Sequence, residues 1–327
     1  MNKFAIVLTL AGAVATALGS DFVMPDVELK VRVVGVEGTP IPDAQVGAFF
    51  PHVYGAGAPV KGESKKALTD TEGTALLVAK TASSVGGGVE KPGYYRTQFE
   101  EVDFMKMRDE VEPLRAEREA VLKKIRNPVP MIARQFGELT VPVENDPCGF
   151  DFEVGDWVAP RGTGKTADTV FNIAGSYPSY KEFDATLEIS FPNDGDGIIR
   201  YEGAQHVGSE LKSDYEAPEG GYLEELNLSN RAKPGQTTAE WINESKSGSN
   251  YYFRVRTVLD EQGNVIRANY GKIYGPFEFG RYKNAEKLYL KGGTYYFNPA
   301  VNNRNVEFDR SKNLAEEVTP SKSITLP

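Results

Sequence analysis

Cysteine is almost missing from this chain: Cys148 is the only one in 327 residues. A single thiol cannot close an internal disulfide, so the fold must rest on buried apolar surface. Placed after Pro147, Cys148 reads as a small buried residue rather than a nucleophile. Histidine is nearly as scarce, with His52 and His206 alone. Neither sits in a nucleophile or metal-ligand pattern, and with Cys148 they fall short of the four ligands of a zinc site. Basic charge is in deficit, 37 Lys+Arg against 46 Asp+Glu for a net charge of −9, which argues against nucleic acid as a partner. No apolar run reaches the ~20 residues of a helical membrane span, so no transmembrane anchor is expected.

What is abundant is punctuation. Gly 33 and Pro 20 separate short runs rich in Val, Ile, Tyr and Phe, the pattern of many turns and strands and few long helices. The fold class expected is all-β. The first twenty residues read as an address: Met1-Asn2-Lys3 is positive, residues 4–18 are apolar or small, and Gly19-Ser20 precede Asp21. This is the form of a secretory signal peptide cut near residues 17–20, so the mature chain is expected in the periplasm, on the cell surface or outside the cell.

Residues 27–33 alternate apolar and charged side chains with period two, as a strand with one buried face does. Gly38-Thr39-Pro40-Ile41-Pro42-Asp43 turns the chain into a second strand at residues 44–49. Thr69-Asp70-Thr71-Glu72-Gly73 makes a turn in which Gly73 can adopt positive φ, and a third strand follows at 74–79. A small antiparallel sandwich is expected. The strand, the Gly38–Val46 segment, the Thr69–Gly73 turn and Glu90-Lys91-Pro92-Gly93-Tyr94-Tyr95 together resemble a carboxypeptidase regulatory-like domain of the transthyretin-like type. That resemblance implies an accessory domain and no catalytic residue.

Residues 99–126 carry two readings. Phe104, Met107, Val111, Leu114, Val121 and Ile125 fall on helical spacing, but Pro113 interrupts it. The competing reading is a strand over 117–125. Lys123-Lys124-Ile125-Arg126-Asn127-Pro128-Val129-Pro130-Met131 resembles the end of the first domain in uncharacterised secreted bacterial proteins, which favours the strand. Asn127-Pro128-Val129-Pro130 then reads as a connector. The organisation expected is a signal peptide at 1–20, a regulatory-like β-sandwich at 21–133, a larger Tyr-rich β domain at 134–320, and a frayed tail at 321–327. In the second domain the clearest hairpin joins residues 251–258 to 264–270 through Asp260-Glu261-Gln262-Gly263.

Four constellations bear on chemistry. Ala159-Pro160-Arg161-Gly162-Thr163-Gly164-Lys165-Thr166 fits a relaxed phosphate-loop pattern, yet no buried strand precedes it and the β-branched residues 169–173 follow, so it reads as a Gly-rich turn. Asn193, Asp194 and Asp196 with two glycines could make a weak calcium loop, but the twelfth position of a full loop holds Gly203; a plain turn is the simpler reading. Paired carboxylates for glycoside hydrolysis remain open, because any two of 46 acids could converge. Finally, 13 of 16 tyrosines lie from Tyr177 onward. Adjacent pairs on a strand point to opposite faces, so Tyr251 with Tyr252 and Tyr295 with Tyr296 are each expected to give one core and one exposed ring. Exposed, they would be ligand-binding platforms for a glycan or a cell-envelope protein.

Residues 155–168, 217–222, 252–257 and 295–309 are together similar to uncharacterised exported proteins of planctomycete and verrucomicrobial type, which implies a shared fold and no known activity. The function expected is a non-catalytic binding or structural module with no cofactor. The alternative is an extracellular hydrolase acting on glycans with its carboxylates in the second domain.

Overall fold

The computed structural model describes residues 24–53, 61–81, 83–107, 112–203, 207–245, 248–283, 285–315 and 324–327. Residues 1–20, read above as a signal peptide, and His206 lie outside these. The described chain is all-β, with only two short 3-10 turns, and it divides into two compact units: Met1–Lys124 with Val207–Ser209, and Ile125–His206 with Glu210–Pro327.

In the first unit the strands are β1 (Asp26–Gly35), β2 (Gln45–Val53), β3 (Lys61–Leu68), β4 (Thr74–Lys80), β5 (Ser84–Glu90), β6 (Thr97–Asp103) and β7 (Leu114–Leu122). Strands β4-β1-β7 form one sheet. The other runs β6-β5-β2-β3, with Gly208–Ser209 pairing on β6. Alternation on β1 puts Val27, Leu29, Val31 and Val33 into a core with Phe50, Leu77, Phe99 and Leu122.

The strand reading of the 99–126 region holds, with bounds three residues earlier than expected. All pairs here are antiparallel except β1 with β7, which is parallel. The outward residues of that pair are charge-matched in register: Arg115 meets Glu28 at 2.8 Å, Glu117 meets Lys30 at 3.0 Å and Glu119 meets Arg32 at 3.3 Å. Such exposed pairs contribute little stability each. Their complementarity nonetheless opposes a slip of register, since a one-residue shift would turn the charges inward. Arg115, Glu117 and Glu119 are thus the solvent face of a strand.

In the second unit the strands are β8 (Val129–Thr140), β9 (Cys148–Asp151), β10 (Asp156–Trp157), β11 (Thr169–Ser179), β12 (Glu182–Ser190), β13 (Gly197–Glu202), β14 (Glu225–Ala232), β15 (Ile242–Asn243), β16 (Ser249–Leu259), β17 (Val265–Tyr274), β18 (Glu278–Gly280), β19 (Tyr289–Asn298) and β20 (Phe308–Asn313). One sheet runs β10-β9-β11-β12-β14-β15. The other runs β13-β16-β17-β19-β8-β20, with β18 also paired on β19. Phe136, Phe150, Phe152, Phe171, Phe253, Phe277 and Tyr295 pack between them as a ring cluster, Phe152 stacking on Phe253 at 4.4 Å between centroids.

Two expectations need correction here. The domain boundary placed at 133 lies at 124, because residues 129–133 begin strand β8, which pairs with β19 and β20, instead of forming a connector. The tail expected to fray is also ordered where it is described: Ile324 and Leu326 pack on the far face of the second sheet, and the Leu326 carbonyl accepts the Tyr296 hydroxyl at 3.2 Å.

That far face is a second buried layer. Met131, Ala133, Tyr252, Tyr270, Tyr274, Tyr296 and Phe308 line it. Residues 211–217 cover it along with the tail: Leu211, Ser213 and Ala217 are fully buried, and the Asp214 amide donates to the Tyr252 hydroxyl at 2.7 Å. Lys272 is buried in this layer too, its Nζ donating to the Tyr274 hydroxyl at 2.8 Å, the Pro327 carbonyl at 2.9 Å and Ser213 Oγ at 3.2 Å.

Candidate functional site

The four tyrosines singled out above are all in the interior: Tyr251 is 1% exposed, Tyr252 4%, Tyr295 1% and Tyr296 0%. Alternation works as expected, with Tyr251 and Tyr295 in the cluster between the sheets and Tyr252 and Tyr296 in the layer behind. Exposure does not, because the second face is covered. These residues form no ligand platform.

The Asn193–Asp196 turn is likewise committed inward. Asp196 is 2% exposed, and its carboxylate accepts the amides of Arg256 at 2.9 Å and Thr257 at 2.8 Å. Asn193 donates to the Thr257 carbonyl at 2.8 Å. Of the three residues singled out for calcium only Asp194 is left with an uncommitted carboxylate at the surface, whereas Asp196 is turned inward onto backbone amides.

The Gly-rich segment at 159–166 already holds an anion of its own. The amides of Lys165 and Thr166 donate to Asp151 at 2.9 and 3.0 Å, and those of Thr163 to Asp156 at 2.7 Å. Donors that would cradle a phosphate are occupied by carboxylates, which supports the reading as a structural turn. Burial alone would raise Asp151. The amide donors of Lys165, Thr166 and Val154, with the Arg256 guanidinium, outweigh it and hold the carboxyl below its usual range.

Arg256 closes this cluster by donating to Asp168 at 2.8 and 3.1 Å, to Asp151 at 3.2 Å and to Glu153. All three nitrogens donate, so the guanidinium is committed to three carboxylates and braces the sheets. Cys148 is buried, as its sequence context suggested. His52 is half-buried with Nε2 3.8 Å from Glu63.

An exposed aromatic site does exist, at residues the sequence did not single out. Along β19 the side-chain alternation changes sense. Tyr295 and Phe297 enter the cluster between the sheets at one end, whereas Leu290 does so at the other. The change falls at Gly292-Gly293, where a Cβ on Gly293 would stand 1.6 Å from the Tyr274 carbonyl oxygen. Strand β8 switches at the same level: Ile132 and Phe136 face the core before Gly137, whose φ is +61°, and Leu139 faces it after. Glycines in strands permit such re-aiming.

The result is that Tyr289 and Lys291 emerge on an open face, beside Glu138 of β8 and Glu278 of β18. Glu138 and Glu278 both lie opposite Lys291 in register, giving an acid-base-acid row across three strands, with Lys291 Nζ 3.6 Å from Glu278. Above this row Tyr282, 51% exposed, stacks on Tyr289 with centroids 4.5 Å apart and planes 19° apart. Its hydroxyl donates to Glu138 at 2.7 Å, and that hydrogen bond pushes the phenol up to about 12. One ring is therefore anchored at its back and its edge with an outer face toward solvent.

No helix among the described residues is long and apolar enough to cross a membrane. The sequence matches no family model and no curated protein. Among solved structures the chain is similar to the crystal structure of a "putative carbohydrate binding protein" from Bacteroides uniformis, at 11% identity over 85% of this chain and 99% of that one, with a TM-score of 0.20. A score this low falls short of a shared fold, and nothing about ligand or chemistry is transferred from it.

Proposed function

We propose that the second unit is a non-catalytic glycan-binding module of an exported protein, with Tyr282 as the stacking platform. The observation that carries this reading is the Tyr282 ring itself: exposed, backed by Tyr289, fixed by Glu138, and flanked by Glu278 and Lys291. A sugar ring presents apolar C–H faces and polar hydroxyl edges, and an amphipathic aromatic beside carboxylate acceptors and an ammonium donor matches both. Because the ring is held before a ligand arrives, little side-chain entropy is lost on binding. In this reading the first unit, with its regulatory-like pattern, is accessory, and residues 1–20 direct the chain out of the cytoplasm.

The hydrolase alternative is weakened by the same geometry. Glu138 and Glu278 are two strands apart, roughly 10 Å at the backbone, which is near the range inverting enzymes use. Lys291, however, stands between them where the scissile bond would have to sit.

The test is calorimetry of the mature protein against a panel of plant, algal and bacterial polysaccharides, with reducing-end release followed on each. Reversible binding without product, weakened tenfold or more by Tyr282→Ala, is expected for a stacking anchor. Product release abolished by Glu138→Gln would favour the hydrolase, and capture of an envelope protein with no glycan binding would replace the ligand class.

A further inference from the structure

A second aromatic site adjoins the Tyr282 platform, and its charge is of the opposite sign to the Glu138–Glu278 row. Strands β11 and β12 are joined by a tight turn at Tyr180-Lys181, and two ammonium groups lie over the Tyr180 ring: Lys181 Nζ 5.5 Å from the centroid and Lys283 Nζ 6.0 Å. Both lysines are exposed, and among the described residues neither carries an ion pair. Lys283 follows Tyr282 directly, so the residue after the platform tyrosine is the one whose ammonium reaches the Tyr180 ring.

The surface thus has polarity. At one end, acceptors from Glu138 and Glu278 surround an aromatic face; at the other, two cations from separate segments converge on a third tyrosine. In a chain of net charge −9, two exposed cations from separate segments, each within about 6 Å of one ring centroid, make this spot locally basic. Contact with the ring quadrupole offsets part of their mutual repulsion. An anion bridging the two would offset more.

We infer that the glycan is acidic, with a neutral ring stacked on Tyr282 and the carboxylate or sulfate of a neighbouring sugar held between Lys181 and Lys283. This rests on the glycan reading above. Hydroxyl hydrogens would be donated to Glu138 and Glu278, and an anion would be repelled there, so the same charges that recognise the chain also fix its direction along the surface.

Matched polymers separate this inference from the reading it rests on. Hyaluronan, in which acidic and neutral sugars alternate, and its methyl ester differ only in the carboxylate charge; lightly sulfated dextran and dextran differ only in the sulfate. The full-length mature protein should prefer one charged member to its neutral counterpart, and which pair shows the preference identifies the anion. Lys181→Gln combined with Lys283→Gln should weaken binding of the charged polymer by roughly three- to tenfold, the range for two exposed ion pairs, and leave the neutral one within twofold. Increasing salt should remove the same increment.

Tyr282→Ala should weaken both members of the pair. If neutral and charged forms bind alike, or the lysine variants change neither, the acidic-glycan inference is overturned while the Tyr282 platform stands. If no polymer in the panel binds and Tyr282→Ala changes nothing, the platform and the inference fail together. Both lysines are exposed, so an unchanged melting curve confirms that a loss of binding is not a loss of fold.

Discussion

Strand β19 is two surfaces in one. Its C-terminal half, with Tyr295 and Tyr296, is covered on both sides, by the opposing sheet on one and by residues 211–217 and 324–327 on the other. Its N-terminal half, with Tyr289 and Lys291, is covered on one side only. The residue types hardly differ. What separates a structural tyrosine from a candidate binding tyrosine is whether a distant stretch of chain lies over it, and the two glycines at 292–293 decide which side chains are offered to that cover.

The sharpest way to break this contrast is to truncate a ring in each half. Tyr296→Ala and Tyr295→Ala should each cost ~3–5 kcal/mol, the usual loss for a large buried aromatic, which urea unfolding would detect. If either leaves stability unchanged, the covered half is not closed. A smaller effect, about 1–3 kcal/mol of overpacking strain, is expected for Gly293→Ala, because the added Cβ must displace the Tyr274 carbonyl. That variant should also lose glycan binding, since the platform depends on the change of alternation. Retained binding at wild-type affinity would show that the glycine does not set the face.

The covered half borders the Arg256 cluster, whose guanidinium lies 5.1 Å from the Phe297 ring centroid. Here pH sharpens the comparison. Asp151 has its folded carboxyl below the unfolded value of about 3.9. Its contribution is therefore present above that value and is lost as pH falls through the folded one. Asp168 and Asp196, pushed up mainly by burial, act with the opposite sign: their contribution is present at low pH and fades as pH rises through their folded values. Asp151→Asn should lower stability at neutral pH and flatten the decline below pH 4 relative to wild type. Parallel acid limbs for the two proteins would dismiss Asp151 as the source. The smallest stability effect belongs to Tyr282→Ala, which should leave the melting temperature essentially unchanged while weakening binding tenfold or more; a large drop in melting would make Tyr282 one more core residue.

Much of the fold was legible locally. Alternation marked β1, and the Asp260–Gly263 turn marked the β16–β17 hairpin, where Asp260 accepts the amides of Gln262 and Asn264 at 2.9 and 2.8 Å. Gly73 takes the positive φ, +71°, that its turn required. The opposite facing of adjacent tyrosines was legible as well. What could not be read were the long-range facts. Val129-Pro130 looks like a connector until β8 is seen beside β19, and nothing in Tyr252 or Tyr296 states that residues 211–217 will lie across them. Tyr282 sits in a polar loop with no strand pattern, so its signal was only its neighbours in space. Gly137 with Gly292-Gly293 was the one local hint, since paired glycines inside apolar strands mark a place where the side chains are re-aimed.

Cys148 has a practical consequence. It is the chain's single thiol, fully buried on β9, with Arg161 Nη1 at 3.2 Å from its sulfur. A thiol reagent can reach it only when the second unit opens, whereas the first unit holds no cysteine at all. The rate of labelling under native conditions is therefore a clock for the opening of one half of the molecule, read without cutting the chain, adding a dye or changing a residue. Run beside a spectroscopic melt that sees both halves, it would reveal whether they unfold as one event or two.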